Sequence, residues 1–263
     1  MPTLPSREIL RQSCTEFARE AAREIMRIYA GDLGVRSKAD KSPVTDADQA
    51  AEVVIVAGLR KLTPDVPVVA EEEMAAGRVP QIGNGPFWLV DPLDGTKEFI
   101  SRNGEFTVNI GLIEQGRPTL GIVLAPATET LWRGDAHLGA DKSEAGGAFA
   151  PIATRPAPRD ALIACASRSH AVYSDLDIWF RNNGLTVAER IQAGSSLKFC
   201  LIAEGKADIY PRFGPTNEWD TAAAQGVLEA AGGEVVTTDG RPLRYGKPKF
   251  SNPHFIARSK GLG

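Results

Sequence analysis

Asp91 and Asp94 lie three residues apart in the sequence WLVDPLDGTKEF, directly after a short apolar run. The run predicts a buried strand that ends at Asp91, because Pro92 lacks an N–H and interrupts the hydrogen bonding of a sheet. Gly95 then permits a tight turn, and Thr96 opens a helix whose free N–H groups face the same region. Carboxylates beside a helix start are typical of a site for a cation and a phosphate, and their hard oxygen donors favour Mg²⁺.

A second group of carboxylates precedes this segment along the chain. Glu71, Glu72 and Glu73 follow VPVVA, another short apolar run that predicts a strand. If the two strands are neighbours in one sheet, Glu71 lies at the same sheet edge as Asp91. A run of acidic residues is more often a solvated loop, and that interpretation is the stronger one for Glu72 and Glu73.

Two further aspartates have simple structural explanations. Asp220 precedes a run of small residues, so it fits a position at or beside the N-cap of a helix. Asp48 ends the sequence TDAD, a capping pattern before an apolar helix. Asp94 likewise fits a helix cap and Asp91 a turn. Taken singly, each of these carboxylates is better explained by local structure than by catalysis.

Two helices are expected in the first part of the chain. Apolar positions recur every three or four residues from Leu10 to Ile28, which predicts an amphipathic helix closed by Gly31. A second helix is expected from Thr45 to about Leu62.

Strands dominate the middle of the chain and alternate with helices in the last part. FTVNIGLIE and RPTLGIVLAP flank a Gln-Gly turn, which predicts an antiparallel hairpin. Residues 139–159 are expected to form a loop, and the strand-helix alternation beyond them predicts an α/β half. We place a soft boundary there. The N-terminal half, 1–150, carries most of the acidic motifs, and 151–263 completes one compact catalytic unit.

The composition is that of an ordinary globular protein of 263 residues. No apolar run approaches the roughly 18 residues of a membrane span, and the first residues lack a signal-peptide pattern, so a cytoplasmic location is expected. The net charge of −3 argues against binding to nucleic-acid polymers but leaves a small anionic substrate open. Cys14, Cys165 and Cys200 lie in apolar stretches and are expected to be reduced core thiols. Three isolated histidines give a zinc site little support.

Several short patterns occur in order along nearly the whole chain: SPVTDAD (42–48), the glutamates at 71–72, DPLDGT (91–96), GSS (194–196) and WDTAA (219–223). Together they resemble the inositol monophosphatase superfamily of Mg²⁺-dependent, Li⁺-sensitive phosphatases. Within it, the segments around the last three patterns and the closing SNPHF are most similar to the 3′(2′),5′-bisphosphate nucleotidases of sulfur assimilation. Those enzymes convert adenosine 3′,5′-bisphosphate to AMP and phosphate. The resemblance implies a layered α/β fold, an alternating α-β-α-β-α sandwich with the metals between its halves.

The same resemblance implies two to three bound Mg²⁺ ions. One ion would be held by Glu71, Asp91 and the backbone carbonyl of Leu93. A second would be held by Asp91, Asp94 and Asp220. Two such ions can activate a water and stabilise both the attacking and the leaving oxygen of an in-line displacement.

The resemblance makes Glu71, Thr96 and Asp48 the catalytic residues. Thr96 and Glu71 would orient the attacking water and accept its proton, and Asp48 would help to position a further ion or its waters. No side chain is placed as a nucleophile, so direct attack without a phospho-enzyme is predicted. Ala70 stands where the family often has a serine, and three successive glutamates leave the register of the metal ligand open by one residue.

A nucleotide bisphosphate is the expected partner. By resemblance, the residues that bind it are Leu93, Asp94, Gly95, Thr96, Gly194, Ser195 and Asp220. Lys97, Lys198 and Arg212 lie near these motifs and are candidates for binding the second phosphate or stacking near the base, with a solvated surface role as the alternative.

Other interpretations remain open at the level of sequence. An inositol monophosphatase or a histidinol-phosphatase would keep the metals and change only the pocket, because fold does not determine function. A catalytically dead regulatory module would need a missing ligand, and none is missing. Haloacid-dehalogenase phosphatases space their two aspartates two apart, not three. Cleavage of sulfated nucleotides, a homodimer and peripheral association with a membrane are also left open.

Overall fold

The computed structural model describes residues 3–38, 42–167 and 173–262, which form helices and strands in alternating groups. The helices are α1 (Arg7–Tyr29), α2 (Asp46–Leu62), α3 (Glu71–Ala75), α4 (Thr96–Ile100), α5 (Tyr173–Asn182), α6 (Leu197–Ala203) and α7 (Ala222–Ala230), with short 3₁₀ turns at Pro126–Thr128 and Pro248–Phe250. The strands are β1 (Arg36–Ser37), β2 (Pro43–Val44), β3 (Val68–Ala70), β4 (Phe87–Asp94), β5 (Thr107–Glu114), β6 (Arg117–Ala125), β7 (Thr130–Asp135), β8 (Gly139–Ser143), β9 (Ala150–Pro151), β10 (Leu162–Ser167), β11 (Val187–Ala193), β12 (Ile209–Arg212), β13 (Gly233–Thr237) and β14 (Phe255–Ser259).

The larger sheet contains seven strands, β3 to β9, and strands that follow one another along the chain lie side by side. Only the first pair, β3 and β4, is parallel, and each later pair is antiparallel. The hairpin predicted around the Gln-Gly turn is confirmed, since β5 pairs with β6 and Glu114 lies opposite Arg117. The parallel pair matters for the site because it brings the carboxyl ends of two strands to one edge.

The smaller sheet contains five strands in the order β11-β10-β12-β14-β13. β10 pairs in parallel with both β11 and β12, as the predicted alternation of strands and helices requires. β14 runs antiparallel to both of its neighbours, β12 and β13. This sheet is therefore mixed, with the parallel strands grouped on one side.

Three hydrophobic cores hold five layers together, and the middle core contacts both sheets. In the first core, α1 and α2 pack on one face of the seven-stranded sheet, around Trp88 and Ile55. In the second, α6 and α7 lie between the two sheets and contact both, with Phe199 and Val227 among the buried side chains. In the third, α5 covers the outer face of the five-stranded sheet through Phe180. The predicted alternating α-β-α-β-α sandwich is confirmed.

α1 is the amphipathic helix predicted from the apolar spacing at the start of the chain. Leu10, Cys14, Ala21 and Ile25 are fully buried on one of its faces, and the hydroxyl of Ser6 accepts a hydrogen bond from the Ile9 N–H as a cap. None of the helices in the described ranges is long and apolar enough to cross a bilayer.

Two boundaries expected from the sequence are wrong. β4 does not end at Asp91. Its ladder breaks after the pair Asp91 and Asn109 and resumes where Asp94 lies opposite Thr107, so the missing N–H of Pro92 causes only a local irregularity. Residues 139–159 are not a loop, since they contain β8 and β9. The β8 sequence GADKS is too polar to show the alternation by which strands are recognised.

Candidate active site

The parallel pairing of β3 and β4 brings Glu71 and Asp91 together. Ala70 lies opposite Val90, so Glu71 leaves β3 at the level at which Asp91 continues β4. Glu71 is the first residue of α3, and its side chain lines a cavity. Glu72 shares the ammonium group of Lys38 with Glu71, whereas Glu73 pairs with Arg60 and Arg78 on the outer side.

The two aspartates of DPLDGT have different hydrogen-bond partners. Asp91 is buried, and its Oδ1 accepts a hydrogen bond of 3.0 Å from the Leu93 N–H. Asp94 does not cap α4, whose N-cap is Gly95 in the left-handed region at φ 93°. Instead its Oδ2 accepts hydrogen bonds from the hydroxyls of Ser195, at 2.7 Å, and Ser196, at 3.1 Å. The local alternative for Asp94, a helix cap, is therefore wrong.

Asp48 combines a capping role with a contact to the site. Its Oδ2 accepts hydrogen bonds from the Thr45 N–H at 2.7 Å and hydroxyl at 2.6 Å, which completes the predicted capping box at the start of α2. Its Oδ1 accepts a hydrogen bond of 3.2 Å from the hydroxyl of Thr96. The oxygen of Thr96 also lies 3.5 Å from the carbonyl oxygen of Leu93. The Asp48 carboxylate thus both caps α2 and contacts the site.

Asp220 lies in the turn before α7, one residue ahead of the N-cap Thr221. Its Oδ2 accepts a hydrogen bond of 2.8 Å from the Asn217 N–H, and its backbone carbonyl accepts one of 3.1 Å from the Ser196 hydroxyl. Ser196 therefore links Asp94 of the first half of the chain to Asp220 of the second.

The GSS segment after β11 requires unusual backbone geometry. The Gly194 N–H donates to Glu105 Oε2 at 2.9 Å, and a Cβ atom at Gly194 would lie only 2.7 Å from the Glu105 carbonyl oxygen. Ser195 has φ 51°, which is left-handed for a residue with a side chain, and it also hydrogen-bonds to Thr107. Only glycine fits at position 194 without displacing this loop.

Lys198 is a buried lysine beneath the same segment, with an exposed fraction of 4%. Its ammonium group donates to the carbonyl oxygens of Ala193 at 3.1 Å and Ser195 at 2.5 Å, and it lies over the Tyr210 ring. Burial lowers the pKa of Lys198 to about 8, and the nearby Asp94 carboxylate opposes that change. Lys198 thus holds the backbone around the strained Ser195.

A cavity of about 310 Å³ brings most of the predicted residues together. The predicted residues that line it are Glu71, Asp94, Gly95, Thr96, Lys97, Ser195, Lys198, Arg212 and Asp220. Asp48, Asp91, Leu93 and Gly194 are buried next to this lining. Of the basic residues, Lys97 is exposed at the cavity wall, whereas Arg212 is half-buried and its Nε makes no hydrogen bond within the described residues.

The buried carboxylates repel one another. Burial raises the pKa of Asp91 well above its ordinary value, and the negative charges of Glu71, Asp94 and Asp220 add to the effect. Burial likewise raises the pKa of Asp94 and of Asp220. Although burial alone would lower the pKa of Lys38, the carboxylates of Glu71 and Glu72 raise it above its ordinary value.

This donor set fits hard divalent cations. The donors are carboxylate and carbonyl oxygens, and the carboxylates outnumber the ammonium groups of Lys38 and Lys198 beside them, which leaves an excess of buried negative charge. Within the described ranges, no three His, Cys, Asp or Glu side chains are arranged around a single point as the ligands of an ion. Each carboxylate is instead held by a donor of the protein.

Comparison with known proteins assigns the chain to a family. Residues 7–260 match the profile of the Inositol monophosphatase family. The chain belongs to this family. It is 50% identical over 250 residues to the 3′(2′),5′-bisphosphate nucleotidase CysQ of Escherichia coli strain K12. The aligned region covers 94% of this chain and 98% of that protein. A nucleotidase of the same name from Aggregatibacter actinomycetemcomitans is 34% identical and covers 97% of this chain and 94% of its own.

Solved structures of the family have the same fold. CysQ from Bacteroides thetaiotaomicron superposes with a TM-score of 0.81 at 39% identity, covering 97% of this chain and 98% of that one. An inositol monophosphatase from Anabaena (Nostoc) sp. PCC 7120 superposes with a TM-score of 0.74 at 26% identity, covering 95% of this chain and 90% of that one. The predictions of an inositol monophosphatase family member and of a phosphatase-family enzyme are therefore confirmed.

Four residues that contact the predicted site were not found from the sequence. Lys38, the residue after β1, lies 2.6 Å from carboxylate oxygens of both Glu71 and Glu72. The hydroxyl of Ser196 contacts Asp94 and the Asp220 carbonyl. The carboxylate of Glu105 accepts from the Gly194 N–H, and that of Glu52 accepts from the Glu72 N–H. Ser196 was within the recognised GSS pattern, and Glu52 lies one helical turn after Asp48. No local signal marks Lys38 or Glu105, because their partners lie far away along the chain.

Proposed function

We propose that this protein is a Mg²⁺-dependent phosphatase that hydrolyses adenosine 3′,5′-bisphosphate to AMP and phosphate. The observation that carries the proposal is one cavity in which buried carboxylates from both halves of the chain face the basic side chains of Lys97 and Arg212. Such a cavity suits a substrate with two phosphates, one bound through metal and one through basic side chains. The similarity to bisphosphate nucleotidases at 50% identity supports the same substrate.

The metal ligands in this proposal are those expected from the family resemblance. Glu71, Asp91 and the Leu93 carbonyl would hold one Mg²⁺, and Asp91, Asp94 and Asp220 would hold another. Bound Mg²⁺ lowers the pKa of a coordinated water and stabilises the negative charge that develops on the leaving oxygen. The carboxylates that cluster at the ends of β3 and β4, where burial and neighbouring carboxylates raise the pKa of Asp91, support this assignment.

Thr96 is the residue placed to orient the attacking water. Its hydroxyl donates to Asp48 Oδ1 at 3.2 Å, which leaves the Thr96 oxygen free to accept a hydrogen bond from a water. Glu71 lines the cavity and would receive the proton of that water. The proposal assigns no cavity side chain as a nucleophile and keeps direct attack by water, as the family resemblance implies. The Ser195 hydroxyl donates to Asp94, a proposed metal ligand.

Arg212 is the strongest candidate for binding the second phosphate. Its Nε is buried without a hydrogen-bond partner in the described residues, whereas the ammonium group of Lys198 is directed to two backbone carbonyls. We therefore expect Arg212→Ala to raise the KM for the bisphosphate about tenfold, with little change for a monophosphate. Steady-state kinetics on both substrates checks this, and equal increases in the two KM values would contradict it.

We further propose that the halves 1–150 and 151–263 form one catalytic unit in a reducing, cytoplasmic compartment. The hydrogen bonds from Ser195 and Ser196 to Asp94, and from Gly194 to Glu105, support a single unit, because each joins the two halves. Cys14, Cys165 and Cys200 are buried free thiols, which supports the compartment.

The proposal is tested by phosphate release in the presence of Mg²⁺ from three substrates: adenosine 3′,5′-bisphosphate, inositol 1-phosphate and histidinol phosphate. We expect a kcat/KM for the bisphosphate about a hundredfold above the other two, a difference of roughly 2.7 kcal/mol. Asp94→Asn is the control and should abolish turnover. Equal or better turnover of a monophosphate would assign the protein to that substrate instead, and no turnover of any would indicate an inactive regulatory module.

A further inference from the structure

Helix α2 presents two buried carboxylates, Asp48 and Glu52, which are four residues apart and therefore on one face. Asp48 contacts Thr96 at the cavity. Glu52 is 5% exposed and points to the start of α3, where Glu71 lies. The proposed mechanism uses the first of these carboxylates and gives no role to the second.

Glu52 binds the free N–H groups of α3. Its Oε2 accepts a hydrogen bond of 2.7 Å from the Glu72 N–H, and its Oε1 accepts one of 2.8 Å from the Glu73 N–H. These are the second and third residues of a five-residue helix. The N-cap residue of α3 is Ala70, which has no side chain that could accept them. Glu52 therefore caps α3 from a different helix.

This cap fixes the point at which the chain leaves β3. Ala70 is the last residue of β3, and α3 begins immediately with Glu71, so no loop separates the strand from the first helical residue. The orientation of the first turn of α3 then determines where the Glu71 side chain points. On the outer side, Glu73 pairs with Arg60 at 2.8 Å, but the Arg60 side chain is largely exposed, so this pair fixes α3 only weakly.

We propose that Glu52 is a positioning residue that holds Glu71 in place for Mg²⁺ through the first turn of α3. The proposal rests on the proposed function, because it takes Glu71 as a metal ligand. Groups that orient metal ligands typically change metal affinity by 10 to 100-fold when they are substituted. Glu52 acts through backbone N–H groups and contacts no substrate.

A purely structural role explains Glu52 less well. Burial raises the pKa of Glu52 to about 7, so at neutral pH its charge weakens folding. A serine at position 70 would cap the same N–H groups without a buried charge. A carboxylate that binds both N–H groups at once, reaching from a rigid 17-residue helix, constrains α3 more tightly than a single hydroxyl.

The test compares Glu52→Gln with Asp135→Asn. Gln has the same shape as Glu but only one acceptor oxygen, so one N–H of α3 loses its partner. Asp135, the last residue of β7, is also buried, and its Oδ1 accepts both backbone hydrogen bonds, from the N–H groups of His137 and Leu138, outside the cavity. Mg²⁺ binding is measured by isothermal titration calorimetry, and amide hydrogen exchange is measured across residues 71–75.

We expect Glu52→Gln to weaken Mg²⁺ binding at least about tenfold and to speed exchange across 71–75, while Asp135→Asn changes neither. Unchanged Mg²⁺ affinity in folded Glu52→Gln, or an equal loss in Asp135→Asn, would overturn the proposal. If Glu52→Gln does not fold, Glu52→Asp is measured by the same criteria.

A rescue variant and a turnover assay separate the remaining explanations. Ala70→Ser, added to Glu52→Gln, supplies a local cap and should restore part of the lost Mg²⁺ affinity. A folded double variant that binds Mg²⁺ no better than Glu52→Gln would contradict positioning. If the unsubstituted protein binds Mg²⁺ but releases no phosphate from any ester, the proposed function fails while the inference about Glu52 still stands.

Discussion

Repulsion within the carboxylate cluster should lower the free energy of unfolding of the metal-free protein, and Asp91→Asn tests this directly. Asp91 is 2% exposed, and both burial and four neighbouring carboxylates raise its pKa. Asparagine has the same shape and retains the Oδ1 acceptor that binds the Leu93 N–H. The substitution therefore removes a repelled charge without creating a cavity or breaking that hydrogen bond.

The expected gain in stability follows from the size of such charge effects. One unit of pKa shift corresponds to about 1.4 kcal/mol, and relieving a strained functional site typically yields about 0.5 to 2 kcal/mol. We therefore expect the free energy of unfolding of metal-free Asp91→Asn to rise by roughly 1 to 2 kcal/mol. For a protein of this size that corresponds to an increase in Tm of about 2 to 8 °C.

The same substitution should remove the stabilisation by metal. At a Mg²⁺ concentration of about 100 times Kd, binding stabilises the native protein by roughly 2.7 kcal/mol. Asp91→Asn lacks the carboxylate proposed to bridge the two ions, so its Tm should not respond to Mg²⁺ and its turnover should be lost. The order of stability of the two proteins thus reverses between EDTA and saturating Mg²⁺.

Differential scanning calorimetry in EDTA and in Mg²⁺ measures both effects. The control is Asp208→Asn, since Asp208 is fully buried but its carboxylate accepts hydrogen bonds of 2.7 and 2.8 Å from the Arg155 guanidinium. The free energy of unfolding of that control should fall by roughly 1 to 3 kcal/mol. If the free energy of unfolding of metal-free Asp91→Asn falls as that of the control does, repulsion among the carboxylates does not destabilise the metal-free protein.

Two further predictions concern pH and the GSS segment. Because burial raises the pKa of Asp91 and Asp94, and raises that of Glu52 from 4.5 to about 7, the folded metal-free protein binds protons that the unfolded chain has lost. Its Tm in EDTA should therefore fall as pH rises from about 5 to about 7, and saturating Mg²⁺ should remove or reverse this slope; a Tm that rises over the same range in EDTA would contradict the argument. Gly194→Ala places a Cβ atom 2.7 Å from the Glu105 carbonyl oxygen and should lower kcat/KM at least about tenfold, measured by phosphate release, with Gly85→Ala, whose Cβ atom would meet nothing within 4 Å, as the control. Wild-type kinetics in Gly194→Ala would show that the loop tolerates the displacement.

The part of the site that lies on local sequence patterns could be predicted. The relation of Glu71 to Asp91 follows from two short apolar runs that end on carboxylates, and the structure pairs them as parallel neighbours. The capping box of Asp48 was also recognisable, because a cap and its helix are close in sequence. These predictions succeeded because strand ends and helix starts have compositional signals that do not depend on distant residues.

The parts that failed depend on contacts between distant segments. The local pattern offered a helix cap as the alternative role of Asp94, but its partners Ser195 and Ser196 lie about one hundred residues later. The approach of Lys38 to Glu71 depends on the short hairpin of β1 and β2, whose two-residue strands have no periodicity to detect. Long-range pairing is decided by packing of the whole sandwich, which no local propensity encodes.

The central claim is that carboxylates from both halves of this chain bind divalent cations at the phosphate site. Anomalous scattering from crystals grown with Mn²⁺, AMP and inorganic phosphate tests it most directly. We predict one Mn²⁺ peak bound by Glu71, Asp91 and the Leu93 carbonyl, and a second bound by Asp91, Asp94 and Asp220, with phosphate in contact with both ions. Crystals with phosphate in the cavity but no Mn²⁺ at these carboxylates, or with Mn²⁺ bound only elsewhere, would contradict the claim.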